Sequence, residues 1–187
     1  MDQRGLVERA REGDHDAFTT LAGAAIARLD AAARLILRDN ELARDAVQDA
    51  LVRAWRDLPG LRDPERFEAW LHRLTVNSCL DAARRRRRRP IEVELTPISG
   101  PTVGDMSSVI ADRDLLDAAL RRLEPEWRAV VVLHYYLGMP LPDVAVALRI
   151  PLGTAKSRLH RSLGAMRSSI EGADQAAAVP IPGGQFA

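Results

Sequence analysis

Residues Ile150 to Arg167 read IPLGTAKSRLHRSLGAMR, and their spacing puts an apolar stripe and a basic face on opposite sides of one short helix. At about 100° per residue, Ala155, Leu159, Leu163 and Met166 fall along one line. Ser157, Arg161 and Ser168 point the other way, with Lys156, Arg158 and His160 flanking them. Upstream, Pro142 to Leu148 carries Val144, Ala145 and Leu148 as apolar positions, and Pro151-Leu152-Gly153 predicts a tight break between two helices. Helix, short glycine-containing turn, helix is the helix-turn-helix pattern, in which the second helix enters the major groove of DNA. The same spacing also suits a plain helical hairpin with a solvated basic face. The rest of the chain decides between them.

The chain has 187 residues, of which 47% are hydrophobic, enough to build a core in one domain or in two small ones. Aromatics are only 4%, and Ala, Leu and Arg dominate the periodic segments, which favours helix over sheet. No segment alternates in the manner of a strand. The formal net charge is +1, yet six consecutive arginines, Arg84 to Arg89, concentrate positive charge locally. The single cysteine, Cys79, excludes an intramolecular disulfide and a multi-cysteine zinc site. The histidines at 15, 72, 134 and 160 have no paired metal-ligand spacing, so neither a metal nor a cofactor is expected. The N-terminal MDQRGLVERAREGD lacks an apolar signal core, and no apolar run approaches the ~20 residues of a membrane span. A cytoplasmic protein with no membrane insertion is expected.

From Leu6 to about Arg38 two helices are predicted, broken at Gly13-Asp14, with Asp14 or Asp16 as a cap and Phe18 as a core anchor. A third begins at Asn40-Glu41 and ends at Pro59-Gly60. Its broad apolar face is Ala43, Ala46, Val47, Ala50, Leu51, Ala54 and Leu58, leaving Glu41, Asp45, Gln48, Asp49, Val52 and Arg56 outward. Val52 is an apolar residue in a polar stripe: either a scattered surface valine or part of a partner-docking face with acidic edges. Asp63-Pro64 then opens a long helix in which Phe67, Leu71, Leu74, Ser78 and Ala82 share one face, while Arg73, Asn77, Leu80 and Arg84 occupy another. Asn77 has poor propensity for a helix interior, so tertiary contacts or function must hold it there.

Between Pro90 and about Val109 the composition turns to Pro, Gly, Ser, Thr and a few acids, a flexible linker by pattern. It separates an N-terminal module of residues 1–89 from a C-terminal one of residues 110–171. The second module opens with a helix from about Ala111 to Leu123, and Glu124-Pro125-Glu126 starts another with Trp127, Val130, Val131 and Leu137 inward. Tyr135 and Tyr136 suit packing at a helix end or stacking on bases. The tail from Gly172 to Ala187 reads as frayed.

Taken together, the segments resemble an extracytoplasmic-function (ECF) sigma factor of the bacterial sigma-70 family. In the N-terminal half the resemblance rests on DAVQDALVRAW at 45 to 55, FEAWLHRLTVN at 67 to 77 and Asp81 leading into the arginines. In the C-terminal half it rests on LEPEWRAVVVLHYYLG at 123 to 138 and IPLGTAKSRLHR at 150 to 161. It implies an all-α chain with two small helical domains, sigma domain 2 and the helix-turn-helix sigma domain 4, joined by the linker at 90–109. It implies docking on core RNA polymerase, through its β and β′ subunits, by Asp45, Gln48, Asp49, Val52 and Arg56. It assigns Arg73, Asn77, Arg84 and Arg85 to recognition and melting of the −10 promoter element. It assigns Thr154, Lys156, Ser157, Arg158, His160 and Arg161 to the −35 element. Asn77 offers both a donor and an acceptor to a base that has left the stack, and the arginines suit backbone phosphates. Among the −35 residues, Ser157 and Arg161 are expected to read bases, because they point most directly away from the apolar stripe. An anti-sigma factor that covers these faces is a further implied partner. Arg149 departs from the family, which commonly has glycine there, and Gly164 interrupts the basic helix at a cost of ~1 kcal/mol relative to alanine.

Two other classes are weaker. A stand-alone operator-binding regulator would need only the C-terminal module and leaves the Val52 face and the arginine-ended helix without a purpose. An enzyme would recruit Cys79 with a histidine, but Cys79 lies inside a helical segment with no Gly-rich elbow before it, and no acid is placed to orient a histidine. No catalytic residue is expected, and no nucleotide-cradling loop is present in the sequence.

Overall fold

The computed structural model describes residues 2–88 and 115–177. The linker expected at 90–109, Arg89 and the tail beyond 177 lie outside the described residues. Helix α1 (Gln3–Arg11) buries Leu6, Val7 and Ala10, and the chain turns at Gly13 with φ +97°, a conformation costly for any residue with a Cβ. Asp14 then caps α2 (His15–Leu37), its carboxylate accepting from the backbone N–H of Asp16 and Ala17. Asp39 does the same for α3 (Asn40–Asp57), accepting from Glu41 and Leu42. Such a cap contributes about 1 kcal/mol. Ala43, Ala46, Ala50 and Ala54 line the buried side of α3, and these small residues let it lie close against α2 and α4 (Phe67–Arg88). Between α3 and α4, Leu58 and Leu61 are buried and Asp63 accepts from the N–H of Glu65 at the entry to the long helix.

The second half comprises α5 (115–121), α6 (Pro125–Val131), a π turn over Val132–Tyr136, α7 (Leu141–Leu148) and α8 (Leu152–Ala177). No strand occurs among the described residues, so the fold is all-α. Gly138, at φ +71°, closes the π turn.

The two halves do not keep separate cores. Ala129, Val130, Val132, Leu133, Leu137, Met139, Val144 and Ala147 join one continuous apolar cluster with the buried residues of α1 to α4. Ala119, Leu120, Leu123, Val131 and Met166 make a second cluster, against which Leu35 of α2 also packs. This explains α4, whose Leu80, expected beside Arg73 and Asn77, is buried, as are His72, Thr75, Val76, Cys79 and Ala83. One side of α4 meets α2 and α3 while another meets α6 and α7. A helix apolar on several sides is one covered on several sides.

Two features of the helix-turn-helix differ from the sequence reading. The break lies at Arg149 to Pro151, and Leu152 and Gly153 already belong to α8. Arg149 itself takes the left-handed conformation, φ 55°, and the N–H of Ile150 reaches back to the carbonyl of Ala145 at 3.0 Å. A left-handed non-glycine residue costs about 1–2 kcal/mol, and glycine is the residue that takes this conformation without strain. Helix α8 also runs through Gly172 to Ala177, past the expected start of the tail. Buried Ser169 and half-buried Ile170, the latter against the second cluster, extend its packing beyond Arg167, and the following Ala-rich turn favours helix.

Candidate polymerase and nucleic-acid interfaces

Asp45, Gln48, Asp49, Val52 and Arg56 all lie exposed on α3, as the periodicity predicts, and Val52 keeps 61% of its surface open. Beside them, α2 and α3 enclose a groove of about 550 Å³. Its apolar floor is Ile26, Val47, Leu51 and Val52, and Asp30, Arg34, Arg44 and Gln48 form its rim. Ile26, an apolar residue of α2, is 47% exposed. No single-helix pattern marks this groove, because it exists only where two helices meet. At the rim Arg34 pairs with Asp30 at 2.7 Å, and further along α3 Arg56 pairs with Asp57 at 2.8 Å. The Asp57 carboxylate is lowered below its usual range by its hydrogen bond from Arg56.

On α4, Arg73 and Asn77 are half-buried and one turn apart, with Arg84 exposed on the same side two turns further along and Arg85 beside it. The Asn77 amide has no hydrogen-bond partner among the described residues, so its donor and acceptor are both available. Arg84 to Arg87, by contrast, are engaged. Arg84 pairs with Asp81 at 3.2 Å, Arg85 with Asp49 at 3.6 Å and Arg86 with Asp39 at 2.9 Å. Arg87 reaches across to Glu124 and, at 3.8 Å, Glu126 of the other half. Exposed pairs of this kind contribute about 0–1 kcal/mol each, little enough to be exchanged for phosphate oxygens.

The basic face of α8 differs in this respect. Lys156, Ser157, His160 and Arg161 are exposed, Thr154 and Arg158 are half-buried, and none of Lys156, Arg158 or Arg161 makes an ion pair among the described residues. Ser157 Oγ donates to the carbonyl of Thr154 at 3.0 Å. Ala155 and Met166 are buried as the stripe predicts, Leu159 and Leu163 are half-buried, and Ser162 is buried as well. Helix α7 packs against α8 and holds its basic side outward. Tyr135 and Tyr136 are exposed at the π turn rather than packed, with Tyr135 edge-on to His134 at 4.8 Å.

Cys79 is fully buried, and burial pushes its thiol up to about 12. Thiolate chemistry is suppressed at such a site. A thiol-directed alkylating reagent should therefore leave the native chain unmodified and label Cys79 only in denaturant; rapid labelling of the folded chain in a mass-spectrometric time course would contradict the buried placement. The histidines are scattered: His15 lies against Trp55 at 4.2 Å, His72 is buried in α4, and His134 Nδ1 sits 2.9 Å from the Met139 carbonyl oxygen. Among the described residues, no group of His, Cys, Asp and Glu is arranged to hold a metal ion, and no helix is long and apolar enough to cross a membrane.

Comparison with known proteins defines the class to which these surfaces belong. Residues 24–89 match the Sigma-70 region 2 family and residues 113–166 match the Sigma-70 region 4 family. The chain is 35% identical over 142 residues to an RNA polymerase sigma-E factor of Streptomyces avermitilis, covering 76% of this chain and 78% of that protein. It is 36% identical over 152 residues to the ECF RNA polymerase sigma factor SigM of Mycobacterium tuberculosis, covering 80% of this chain and 75% of that protein. In fold it is similar to the sigma factor RpoE in complex with the anti-sigma factor NepR from Bartonella quintana, with a TM-score of 0.68, 23% identity, and coverage of 82% of this chain and 96% of that one. The chain belongs to the ECF sigma factors of the sigma-70 family. Its role is that of an RNA polymerase sigma factor in transcription initiation, with a helix-turn-helix in its region 4.

Proposed function

We propose that this chain docks on core polymerase through the α2–α3 groove and selects promoters by two grips, α4 on the −10 element and α8 on the −35 element. The observation that carries the reading is the α8 face: cations on a packed helix, none of them neutralised by a carboxylate among the described residues. Guanidinium forks there match the O6 and N7 acceptors of guanine in the major groove, which gives Arg161 and Arg158 base-reading roles. Lys156 and Thr154 suit phosphates and set register. On α4, Asn77 supplies the hydrogen bonds that capture an unstacked base, and the arginines supply phosphate contacts that make binding salt-dependent. The groove floor, Ile26, Leu51 and Val52 between charged rims, fits an amphipathic helix of the polymerase laid against it.

The similar fold of a sigma factor seen with its anti-sigma factor extends the reading to a negative regulator. Such a partner would cover the same groove and the same cationic faces on this chain. The test of docking is gel filtration of the chain with core polymerase from its host. Co-elution is expected, and addition of a cognate anti-sigma factor should remove it. A chain that elutes alone at micromolar concentrations would overturn the proposal.

A further inference from the structure

Where the two halves meet, residues of α2, α3 and α4 face α6 across a cavity of about 250 Å³. Leu37, Leu42, Ala83 and Pro125 form its apolar wall, and three arginines, Arg86, Arg87 and Arg128, complete the lining. Arg128 is 7% exposed, its Nε has no hydrogen-bond partner, and it makes no ion pair among the described residues. The carboxylates of the neighbouring elements are already paired with other arginines. Asp39 pairs with Arg86, Glu124 and Glu126 with Arg87, and Asp117 with Arg38, from which two hydrogen bonds converge on its carboxylate. Burial, with Arg38 and Arg87 as like-charged neighbours opposing Glu126, pushes the Arg128 guanidinium down to about 10. A buried cation without a counter-ion is strongly disfavoured, and an anion delivered from solution removes the penalty.

We propose that this seam is a binding site for a small phosphate-class oxyanion, held by Arg128 together with Arg86 and Arg87. The cavity is too small for a peptide segment, whereas a tetrahedral oxyanion presents several acceptors to planar forks arriving from different directions. Because Arg86 and Arg87 belong to α4 and Arg128 to α6, a bound oxyanion ties the two halves together. Arg86 and Arg87 are then occupied within the chain, so the oxyanion and DNA phosphates compete for them.

The site is testable on the free full-length chain, without polymerase or promoter, so its failure is separate from failure of the sigma-factor reading. Thermal unfolding and calorimetric titration in a phosphate-free buffer would use sodium phosphate and sodium pyrophosphate, with sodium chloride matched for ionic strength. A saturable rise in Tm and saturable heat with either anion, absent with chloride, is expected; a response to pyrophosphate alone would assign the site to diphosphate groups. Arg128→Met should lose the response, and Arg128→Lys, lacking the fork, should weaken it about tenfold. If Arg128→Met does not fold, the exposed pair Arg86→Gln with Arg87→Gln provides the same test, with binding again weakened. A wild-type chain indifferent to both anions beyond the chloride control, or an Arg128→Met chain that responds as wild type does, would overturn the proposal.

Discussion

Val52→Asp is expected to abolish stable association with core polymerase while leaving the chain folded. Val52 is 61% exposed and no buried side chain depends on it, so the substitution belongs among surface changes worth within about 0.5 kcal/mol of fold stability. The consequence falls on docking. A carboxylate at the floor of the groove would have to be desolvated against Ile26 and Leu51, with Asp30 on the same rim already pairing with Arg34. A charged group left buried without a partner costs about 2 kcal/mol or more, so affinity should fall roughly thirtyfold or further. Fluorescence anisotropy of a labelled chain titrated with core polymerase reads this directly. Parental affinity in the variant would remove the groove from the account.

Arg161→Ala should produce the opposite division. Arg161 is exposed on the outward side of α8 and takes no part in the packing of Ala155 and Met166. A bidentate contact to guanine is worth about 1–3 kcal/mol, so binding of −35-containing promoter DNA by the assembled polymerase should drop roughly five- to 150-fold. Affinity for core polymerase should be unchanged. Loss of core binding by Arg161→Ala equal to that of Val52→Asp would mean that the two faces do not divide the work.

The fold was legible wherever the information was local. Asp14 and Asp63 cap the helices they were expected to cap, Ala43, Ala46, Val47, Ala50, Ala54 and Leu58 face inward, and Ala155 and Met166 anchor the basic helix. Val52 stood out in the sequence because one apolar residue broke a polar stripe, and it lines the groove. What escaped depends on distant packing. Leu80 is buried because the C-terminal half lies on α4, a contact between positions far apart in sequence and invisible to a helical period. Ile26 resembles a core residue in an alanine-rich helix until its neighbours across the groove are known. Arg128, which no helical period singles out, is buried by the same seam. Arg149 is the converse case, since its left-handed turn is local but arginine carries no signal for it.

The seam also bears on how the chain works. Arg87 is paired with Glu124 and Glu126 across the two halves, so in the proposed DNA-binding role this arginine would meet phosphate only after those pairs break. Ionic contacts of this kind weaken with salt, as do phosphate contacts.

The most direct measurement is transcription in vitro from fragmented genomic DNA of the host, by core polymerase with and without the chain, with the 5′ ends of the products mapped. The account predicts a discrete set of start sites that appears only with the chain and shares a paired upstream sequence. Scattered starts identical to those of core polymerase alone would contradict it.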